Sequence, residues 1–263
     1  MSRIEEAFKK LRSNNRKALI TYVTAGDPNI TVSKKIIFQL IESGADIIEL
    51  GVPFSDPTAD GPAIQASSQR ALKSGINLYD ILDLVKVIRE VSEVPIVLFG
   101  YYNPFFVFGP REITQRAKEA GVDGLLVVDL PYEAADELKS YTDHMGLDYI
   151  FLLAPTSDNN RIKMISQKAR GFIYYISITG VTGSPLSFTQ YLEKNISLVK
   201  AYTDLPVVIG FGISTPDEAH YMGKFSDGVV VGSAFVRIIE KYQDSSELLK
   251  KIGTFTEQLK KAL

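Results

Sequence analysis

The sequence predicts an α/β protein built as a closed (β/α)8 barrel, on the basis of three observations. Eight short apolar segments rich in β-branched and aromatic residues recur along the chain, amphipathic segments lie between them, and the length of 263 residues suits one barrel domain. Near-continuous apolar strands indicate burial on both faces, which is typical of a parallel sheet covered by helices. Eight strand–helix units favour a closed TIM barrel over an open doubly wound sheet, so we expect residues 1–263 to form a single domain.

The predicted elements follow one another in a regular order. A helix over residues 1–12, with Ile4, Phe8 and Leu11 at helical spacing, precedes the first strand, and a helix over residues 245–261 follows the last one. The second and sixth units extend over 50 and 35 residues from one strand start to the next, which predicts long loops after strands 2 and 6. The eight strands are expected to start at Ala18, Ala45, Pro95, Gly124, Asp148, Gly171, Pro206 and Gly228.

Charge and composition exclude several function classes. The 29 Lys and Arg residues offset 31 Asp and Glu residues to a net charge of −2, so the chain lacks the basic field that nucleic acids or anionic membranes require. No apolar run reaches the roughly 18 residues of a membrane span, and the charged N-terminus is unlike a signal peptide, so we expect a cytoplasmic protein. Cysteine is absent, and His144 and His220 lie far apart on predicted helices, so we expect no metal site.

Glu49 is the first candidate for chemistry, because it lies near the end of the second strand among apolar neighbours. The alternation of a strand places Ala45, Ile47 and Glu49 on one face and Ile48 and Leu50 on the other. If the first face points into the barrel, the carboxyl group enters the mouth from below. A structural hydrogen bond or salt bridge explains such a residue equally well. In a catalytic role, burial would raise the pKa of Glu49, which suits proton transfer near neutral pH.

The loop that follows, residues 52–65, contains three prolines and two aspartates. A single aspartate in such a loop is more often a turn or N-cap residue than a catalyst, and Asp60 before Gly61 and Pro62 fits a helix start. The pairing with Glu49 favours a catalytic interpretation, because two carboxylates that meet across the mouth can divide acid and base roles.

Glycine-rich segments follow the last three predicted strands. Backbone N–H groups after strands 7 and 8, together with the N-terminus of a short helix, form the phosphate site that recurs in such barrels. Gly212, Gly232 and Ser233 are placed to donate there, with the short helix starting near Ala234. The pattern does not meet the dinucleotide fingerprint, because Thr215 stands where the third glycine should be.

The residues that are missing narrow the mechanism. No lysine stands at the end of a predicted strand, so a Schiff base is disfavoured. Carbon-bond chemistry without a metal would then depend on carboxylates and on the electron sink of the substrate itself. Tyr174, on the sixth strand, could add a hydroxyl group, although buried strand tyrosines are more often packing residues.

Residues 48–65, with the sequence IELGVPFSDPTADGPAIQ, closely resemble the signature of the tryptophan synthase alpha subunit family. The resemblance covers nearly the whole chain, and it implies a (β/α)8 barrel that cleaves indole-3-glycerol phosphate into indole and glyceraldehyde 3-phosphate, a retro-aldol step in tryptophan biosynthesis. Further segments that resemble the family are TYVTAGDP (21–28), YYNPF (101–105), VVDLP (127–131), SITGVTG (177–183), GFGIS (210–214) and VGSA (231–234).

The resemblance also implies roles for individual residues. Glu49 would protonate indole C3 and take the proton of the glycerol hydroxyl, and Asp60 would accept a hydrogen bond from the indole N–H. The protonated ring would then serve as the electron sink. Tyr174 matches the active-site tyrosine of the family. By the same match, phosphate would contact Gly183, Gly212, Gly232 and Ser233, and the indole pocket would comprise Tyr22, Phe99, Leu126 and Phe211.

A partner is implied as well. In the family, the barrel mouth docks on a separate beta subunit that uses pyridoxal phosphate, within an α2β2 complex that channels indole, so this chain should bind no cofactor. Thr182 would reach Asp60 when the loops after strands 2 and 6 close over the substrate. The residues expected at or near the partner surface are Pro53, Asp56, Asn103 and Pro131.

Three positions depart from the common family pattern: Tyr22 replaces a phenylalanine, Thr58 a leucine, and Ile178 an arginine found in some members. They bear on pocket polarity and loop dynamics.

Three alternatives stay open: a stand-alone indole-3-glycerol phosphate lyase, a weakly active barrel that only activates the beta subunit, and another phosphate-binding barrel such as a sugar-phosphate isomerase or epimerase. A rate independent of the beta subunit would favour the first. Intact Glu49 and Asp60 argue against the second, and the loop over residues 56–61 argues against the third.

Overall fold

Eight parallel strands close into a barrel in the order in which they follow one another along the chain. The computed structural model describes residues 1–176, 185–210 and 212–263, and of residues 185–190 it describes the backbone. Each strand starts within two residues of its predicted position, and the closed barrel confirms the predicted fold class. The strands are β1 Ala18–Thr24, β2 Ile47–Gly51, β3 Ile96–Gly100, β4 Gly124–Val127, β5 Asp148–Leu153, β6 Ile173–Ile176, β7 Val207–Gly210 and β8 Gly228–Val231.

Helices surround the barrel. In the described part of the chain they are α1 Arg3–Ser13, α2 Ile30–Glu42, α3 Pro62–Lys73, α4 Leu78–Arg89, α5 Tyr102–Phe108, α6 Pro110–Ala120, α7 Asp136–Met145, α8 Asn159–Lys168, α9 Pro185–Lys200, α10 Pro216–Gly223, α11 Ser233–Tyr242 and α12 Leu248–Ala262. Local signals set their ends, as in the capping box of Ser2 and Glu5 that starts α1. The predicted first and last helices are present as α1 and α12. No helix within these residues is long and apolar enough to cross a membrane.

Apolar side chains form two separate clusters, one inside the barrel and one between the strands and the helices. Ile47 belongs to the interior cluster, whereas Ile48 and Leu50 belong to the outer one, so β2 has the predicted orientation. The expectation for Ala45 is wrong, because this residue packs in the outer cluster. Ala45 precedes the first residue of β2, so the two-residue alternation of the strand does not extend to it.

Helix α1 closes the amino-terminal end of the barrel. Ile4 and Phe8 belong to the interior cluster, and the Phe8 ring lies 5.8 Å from the ring of Phe172, centroid to centroid. A Cβ atom added at Gly124, the first residue of β4, would lie 3.4 Å from the Ile4 side chain, so α1 packs directly against the starts of the strands. The interior is thereby filled from the amino-terminal side, and a ligand site can open at the carboxyl ends of the strands.

The long connection after β2 consists of a loop over residues 52–61 and an additional helix, α3, before the helix α4 that covers the sheet. The prediction of a long loop at this position is therefore correct for its first part only. Pro62 starts α3, because proline suits the first turn of a helix and supplies no N–H group that would need a partner. The predicted loop after strand 6 falls on residues 177–184, which lie outside the described residues.

Candidate active site

A cavity of about 300 Å³, called the mouth cavity below, opens at the carboxyl ends of the strands. Its walls come from β1, β2, β3, β6 and β8, from the segment after β7, and from the first turns of α3 and α11. The lining is largely apolar, and its charged members are two carboxylates and one guanidinium. The residues that line it are Tyr22, Glu49, Asp60, Gly61, Pro62, Ala63, Ile64, Phe99, Tyr174, Gly212, Ile213, Val230, Gly232, Ser233 and Arg237.

Glu49 reaches the mouth cavity from β2, where it lies beside Tyr22 of β1 and Val97 of β3. The residue is fully buried, and neither carboxylate oxygen has a hydrogen-bond partner within the described residues. The alternative of a structural hydrogen bond or salt bridge therefore has no support there. Burial raises the pKa of Glu49 to about 8, because the charged form loses hydration and gains no partner. An unpaired buried carboxyl of this kind is typical of a functional site.

Asp60 lies in the loop before α3 and lines the same cavity. The N-cap of α3 is Gly61, and no side chain caps this helix end, so Asp60 does not serve as its cap. Desolvation raises the pKa of Asp60 to about 6, and a hydrogen bond from the Tyr101 hydroxyl opposes the rise. The same hydroxyl accepts a hydrogen bond of 2.9 Å from the Ala59 N–H and thereby anchors the loop. The two carboxylates that the sequence pairs thus share one cavity and differ in pKa.

Aromatic side chains form one wall of the mouth cavity. Tyr22 and Phe99 meet edge to face, with ring centroids 5.2 Å apart, and Tyr174 lines the cavity from β6. Two glycines make room for the tyrosines. A Cβ atom at Gly51 would lie 2.3 Å from the Tyr22 hydroxyl oxygen, and one at Gly210 would lie 2.0 Å from that of Tyr174. The apolar, aromatic wall suits an aromatic ligand.

Another part of the mouth cavity combines backbone N–H groups with a helix N-terminus. Gly212 has a φ of +80°, which favours glycine, and it lines the cavity together with Gly232 and Ser233. Ser233 is the first residue of α11, and the N-cap residue Gly232 provides no side-chain cap. Helix N-termini attract anions through their free N–H groups and their dipole, so this part of the cavity is suited to a phosphate group.

Comparison with known proteins places this architecture in a family. The chain matches the family model for the tryptophan synthase alpha chain over residues 8–263. The alpha chain of Geobacter sp. (strain M21) is 52% identical over 263 residues, which cover 100% of this chain and 98% of the relative. The crystal structure of tryptophan synthase subunit alpha from Legionella pneumophila str. Paris superposes with a TM-score of 0.92 at 39% identity, and the match covers 100% of this chain and 98% of that one. The chain belongs to the tryptophan synthase alpha chain family.

Membership of the tryptophan synthase alpha chain family confirms the activity that the sequence predicts. The chain is a carbon–carbon lyase that cleaves indole-3-glycerol phosphate in tryptophan biosynthesis, in the role of the alpha subunit. The relatives do not favour the alternative of a stand-alone lyase. A sugar-phosphate isomerase or epimerase is excluded by the same match, which extends over the full length of the chain.

The structure brings many of the predicted site residues of this alpha chain together. Leu126 is different, because it is completely buried in the interior cluster and is not among the residues that line the mouth cavity. Packing inside the barrel occupies this side chain, although it pairs in register with Phe99, which does line the cavity. Thr182, Gly183 and Phe211 lie outside the described residues. The predicted residues that line the cavity are Tyr22, Glu49, Asp60, Phe99, Tyr174, Gly212, Gly232 and Ser233.

Several lining residues were not foreseen from the sequence. Arg237 lies one helical turn beyond Ser233 on α11, and this four-residue spacing from the phosphate segment could have identified it. Ile64 enters the cavity from α3, the helix whose start at Pro62 the sequence indicates within residues 52–65. Ile213, which belongs to the segment GFGIS, and Val230 of β8 add apolar surface. Over the part of the chain that the structure describes, no cluster of three or more histidine, cysteine or acidic residues could hold a metal ion.

The raised pKa of Glu49 predicts a pH-dependent stability. In the unfolded chain this residue ionises near the ordinary glutamate value, whereas the folded chain retains the proton up to about pH 8. The folded state thus binds the extra proton between these values, and the free energy of unfolding falls as the pH rises through this window. We expect Glu49→Gln to gain stability relative to the wild type by about 1 kcal/mol per pH unit from roughly pH 5 to pH 8, measured by urea unfolding.

Asp60→Asn serves as the comparison. The pKa of Asp60 in the folded chain is about 6, so the pH range over which this residue lowers the stability ends earlier than for Glu49. Its gain over the wild type should level off above roughly pH 6, while that of Glu49→Gln continues to grow. Identical profiles for the two variants, or a constant difference between Glu49→Gln and the wild type, would contradict the burial of an unpaired Glu49 carboxyl.

Proposed function

We propose that the mouth cavity is the site of indole-3-glycerol phosphate cleavage, with Glu49 and Asp60 as its acid–base residues. The observation that carries this proposal is the fully buried carboxyl of Glu49, which has no hydrogen-bond partner among the described residues, has a pKa of about 8 and lines an apolar cavity. At neutral pH this carboxyl retains its proton and is suited to act as a general acid. Asp60, with a pKa of about 6, is ionised under the same conditions and can stabilise a positive charge.

The cleavage can be written so that protons and electrons balance. Glu49 donates its proton to indole C3, and the ring becomes a cation whose charge lies largely on the nitrogen. Asp60 accepts the hydrogen bond of the N–H group and stabilises this charge. The Glu49 carboxylate then takes the proton of the hydroxyl on the carbon bonded to C3. That carbon becomes an aldehyde, the bond to C3 breaks, and its electron pair restores the neutral indole, so that Glu49 ends the cycle protonated.

The other cavity residues receive binding roles in this proposal. The edge-to-face rings of Tyr22 and Phe99 are suited to hold the indole, and Tyr174 forms the neighbouring wall. Burial and the Glu49 charge raise the pKa of Tyr174, so its hydroxyl stays neutral. Phosphate is assigned to the N–H groups at Gly212, Gly232 and Ser233. Gly183 as a further phosphate contact, Phe211 in the indole pocket, and Thr182 as the residue that reaches Asp60 on closure stay predictions.

A beta subunit is the proposed partner of this chain, in an α2β2 complex. Pyridoxal phosphate is assigned to that partner, and no cofactor to this chain. Relatives of known structure include tryptophan synthase from M. tuberculosis in its aminoacrylate-bound form, with a TM-score of 0.89 at 33% identity and with 100% of this chain and 99% of that one covered. We further propose a cytoplasmic location and a single domain over residues 1–263, in keeping with the family.

An apolar groove beside the mouth supports the proposed docking surface. Pro53 and Asn103 line this groove, called the α3–α5 groove, together with Leu72, Tyr79 and Val107. The side chain of Val107 is 77% exposed and that of Tyr79 is 55% exposed, which is unusual for apolar residues that are this close together. Asp56, Asn103 and Pro131 are exposed, as a partner surface requires, whereas Pro53 is buried.

The experiment that tests the whole proposal is indole release from indole-3-glycerol phosphate by the purified chain, alone and with a cognate beta subunit. We expect slow release that increases when the beta subunit is added, because the partner favours the closed, competent state. Release that is equally fast in both samples would indicate a lyase that acts alone, and the docking part of the proposal would then be wrong.

Glu49→Gln is expected to lower indole release by roughly 10²–10⁴-fold, the usual contribution of general acid–base catalysis, while the substrate still binds. The amide preserves the size of the side chain and cannot transfer the proton. Turnover should be followed in the complex, and substrate affinity by calorimetry. Glu257→Gln, an exposed glutamate on α12, is the control for loss of a charge. Turnover near the wild-type level would remove Glu49 from its assigned role.

Ser233→Asp is expected to weaken substrate binding far more than turnover at saturation, because a carboxylate at the start of α11 repels the phosphate. Michaelis constants and maximal rates should be compared with those of Ser245→Asp, a serine in the connection before α12. The phosphate assignment would fail if only the maximal rate of Ser233→Asp fell.

Val107→Asp is expected to reduce activation by the beta subunit at least tenfold, while the rate of the isolated chain stays unchanged, because a charge is placed in the centre of an apolar docking surface. The matched control is Val91→Asp, since Val91 is 73% exposed and lies before β3, at the opposite end of the barrel. Equal activation of the two variants would place the partner surface elsewhere.

A further inference from the structure

Three buried hydroxyl groups form a chain that begins at the mouth cavity and ends on α3. The Tyr22 hydroxyl oxygen lies 3.3 Å from Thr24 Oγ1, which lies 2.6 Å from Ser67 Oγ. Ser67 in turn donates a hydrogen bond of 2.8 Å to the carbonyl oxygen of Ile64. All three hydroxyl residues are buried, so water does not compete for these contacts.

The Ile64 carbonyl oxygen, at the end of this series of hydroxyl groups, favours one direction for the hydrogen bonds between them. A hydroxyl group has one proton, and a carbonyl oxygen only accepts. When Ser67 gives its proton to the Ile64 carbonyl, the proton between Ser67 and Thr24 comes from Thr24. Thr24 has then no proton left for Tyr22, and Tyr22 must be the donor between these two. The free lone pair of the Tyr22 oxygen is therefore available as an acceptor.

Tyr22 lines the same cavity as the two carboxylates, and its hydroxyl lies beside the strand that carries Glu49. Its oxygen lies against Gly51, two residues beyond Glu49 on β2, where a Cβ atom would approach it to 2.3 Å. Burial raises the pKa of Tyr22 against the opposing effect of the hydrogen bond with Thr24, so the hydroxyl stays neutral at physiological pH. Its ring lines the mouth cavity with Phe99. A neutral hydroxyl group, held by Thr24, thus belongs to a residue that lines the same cavity as Glu49 and Asp60.

We propose that the Tyr22 hydroxyl oxygen accepts a hydrogen bond from a hydroxyl group of the substrate's glycerol chain, and that Thr24 and Ser67 are positioning residues that hold this oxygen as an acceptor. The inference rests on the proposed function of the mouth cavity. In that proposal Asp60 takes the indole N–H and Glu49 takes the hydroxyl on the carbon bonded to C3. The other glycerol hydroxyl is therefore the donor of the substrate that still needs a partner. A phenylalanine at position 22 would supply the same ring without this acceptor.

Two ligands distinguish this hydrogen bond from a general effect on the pocket. One is indole-3-glycerol phosphate, bound to chains that also carry Glu49→Gln so that turnover does not interfere. The other is an analogue in which both glycerol hydroxyls are replaced by hydrogen. We expect Tyr22→Phe to weaken binding of the first ligand about 3- to 10-fold, the usual worth of one neutral hydrogen bond, and to leave the second unchanged. Calorimetry measures both affinities.

Thr24 supplies the test of the positioning role. Thr24→Val has nearly the same shape and leaves Tyr22 without its acceptor, so it should reproduce the selective loss, whereas Thr24→Ser should retain wild-type affinity for both ligands. The double variant Tyr22→Phe with Thr24→Val should lose no more than either single variant, because both remove the same interaction. Tyr202→Phe, an exposed tyrosine beyond α9, is the matched control. Circular dichroism and urea unfolding confirm that each variant is folded.

The outcomes separate the inference from the function on which it rests. Equal weakening of both ligands by Tyr22→Phe would mean that the ring has moved, and unchanged affinity for both would mean that the hydroxyl makes no contact. Either result overturns the inference while the wild-type chain still releases indole. Failure of the wild-type chain to release indole with the beta subunit present would instead overturn the proposed function.

Discussion

The unpaired carboxyl of Glu49 is the constraint on which the rest of the site depends. A carboxyl group in an apolar interior loses hydration, and it stays neutral when no cation or donor offsets that loss. The apolar interior of the barrel creates this condition, with contributions from β2 and from α1. Ile47, on the same face of β2, belongs to the interior core, which Ile4 and Phe8 of α1 fill from the amino-terminal end. Glu49 lines the mouth cavity, so its proton is available to a ligand in that cavity.

The shape of the mouth cavity depends on tyrosines that lie against glycines of neighbouring strands. Tyr22 of β1 lies against Gly51 of β2, and Tyr174 of β6 lies against Gly210 of β7. In a barrel of eight strands the interior is just wide enough for its side chains, so each ring requires space on an adjacent strand. The two tyrosines consequently narrow the mouth into an apolar slot, whose low polarity maintains the raised pKa of Glu49.

The fold and part of the site could be predicted because their signals are local. Each strand is a short apolar run, and the alternation within β2 is enough to direct Glu49 inward. Properties set by the tertiary structure could not be read in this way. Phe99 and Leu126 pair in register, yet only Phe99 lines the cavity, because the strand sequence does not state how deep each inward position lies. Thr24 and Ser67 are 43 positions apart, and no spacing rule relates them.

Helix α3 shows why the insertion after β2 is more than a flexible loop. Its first turn lines the mouth cavity at Ile64, and Leu72 near its end lines the α3–α5 groove. Between these points Arg70 binds the buried carboxylate of Asp27 through two hydrogen bonds of 2.7 and 2.9 Å, and it also reaches Glu240 of α11 at 3.1 Å. Helix α3 thus connects the groove proposed for docking, the residue Asp27 and the helix α11, whose start is the proposed phosphate site. A protein bound in the α3–α5 groove would therefore contact a helix that also lines the mouth cavity and is bonded to α11.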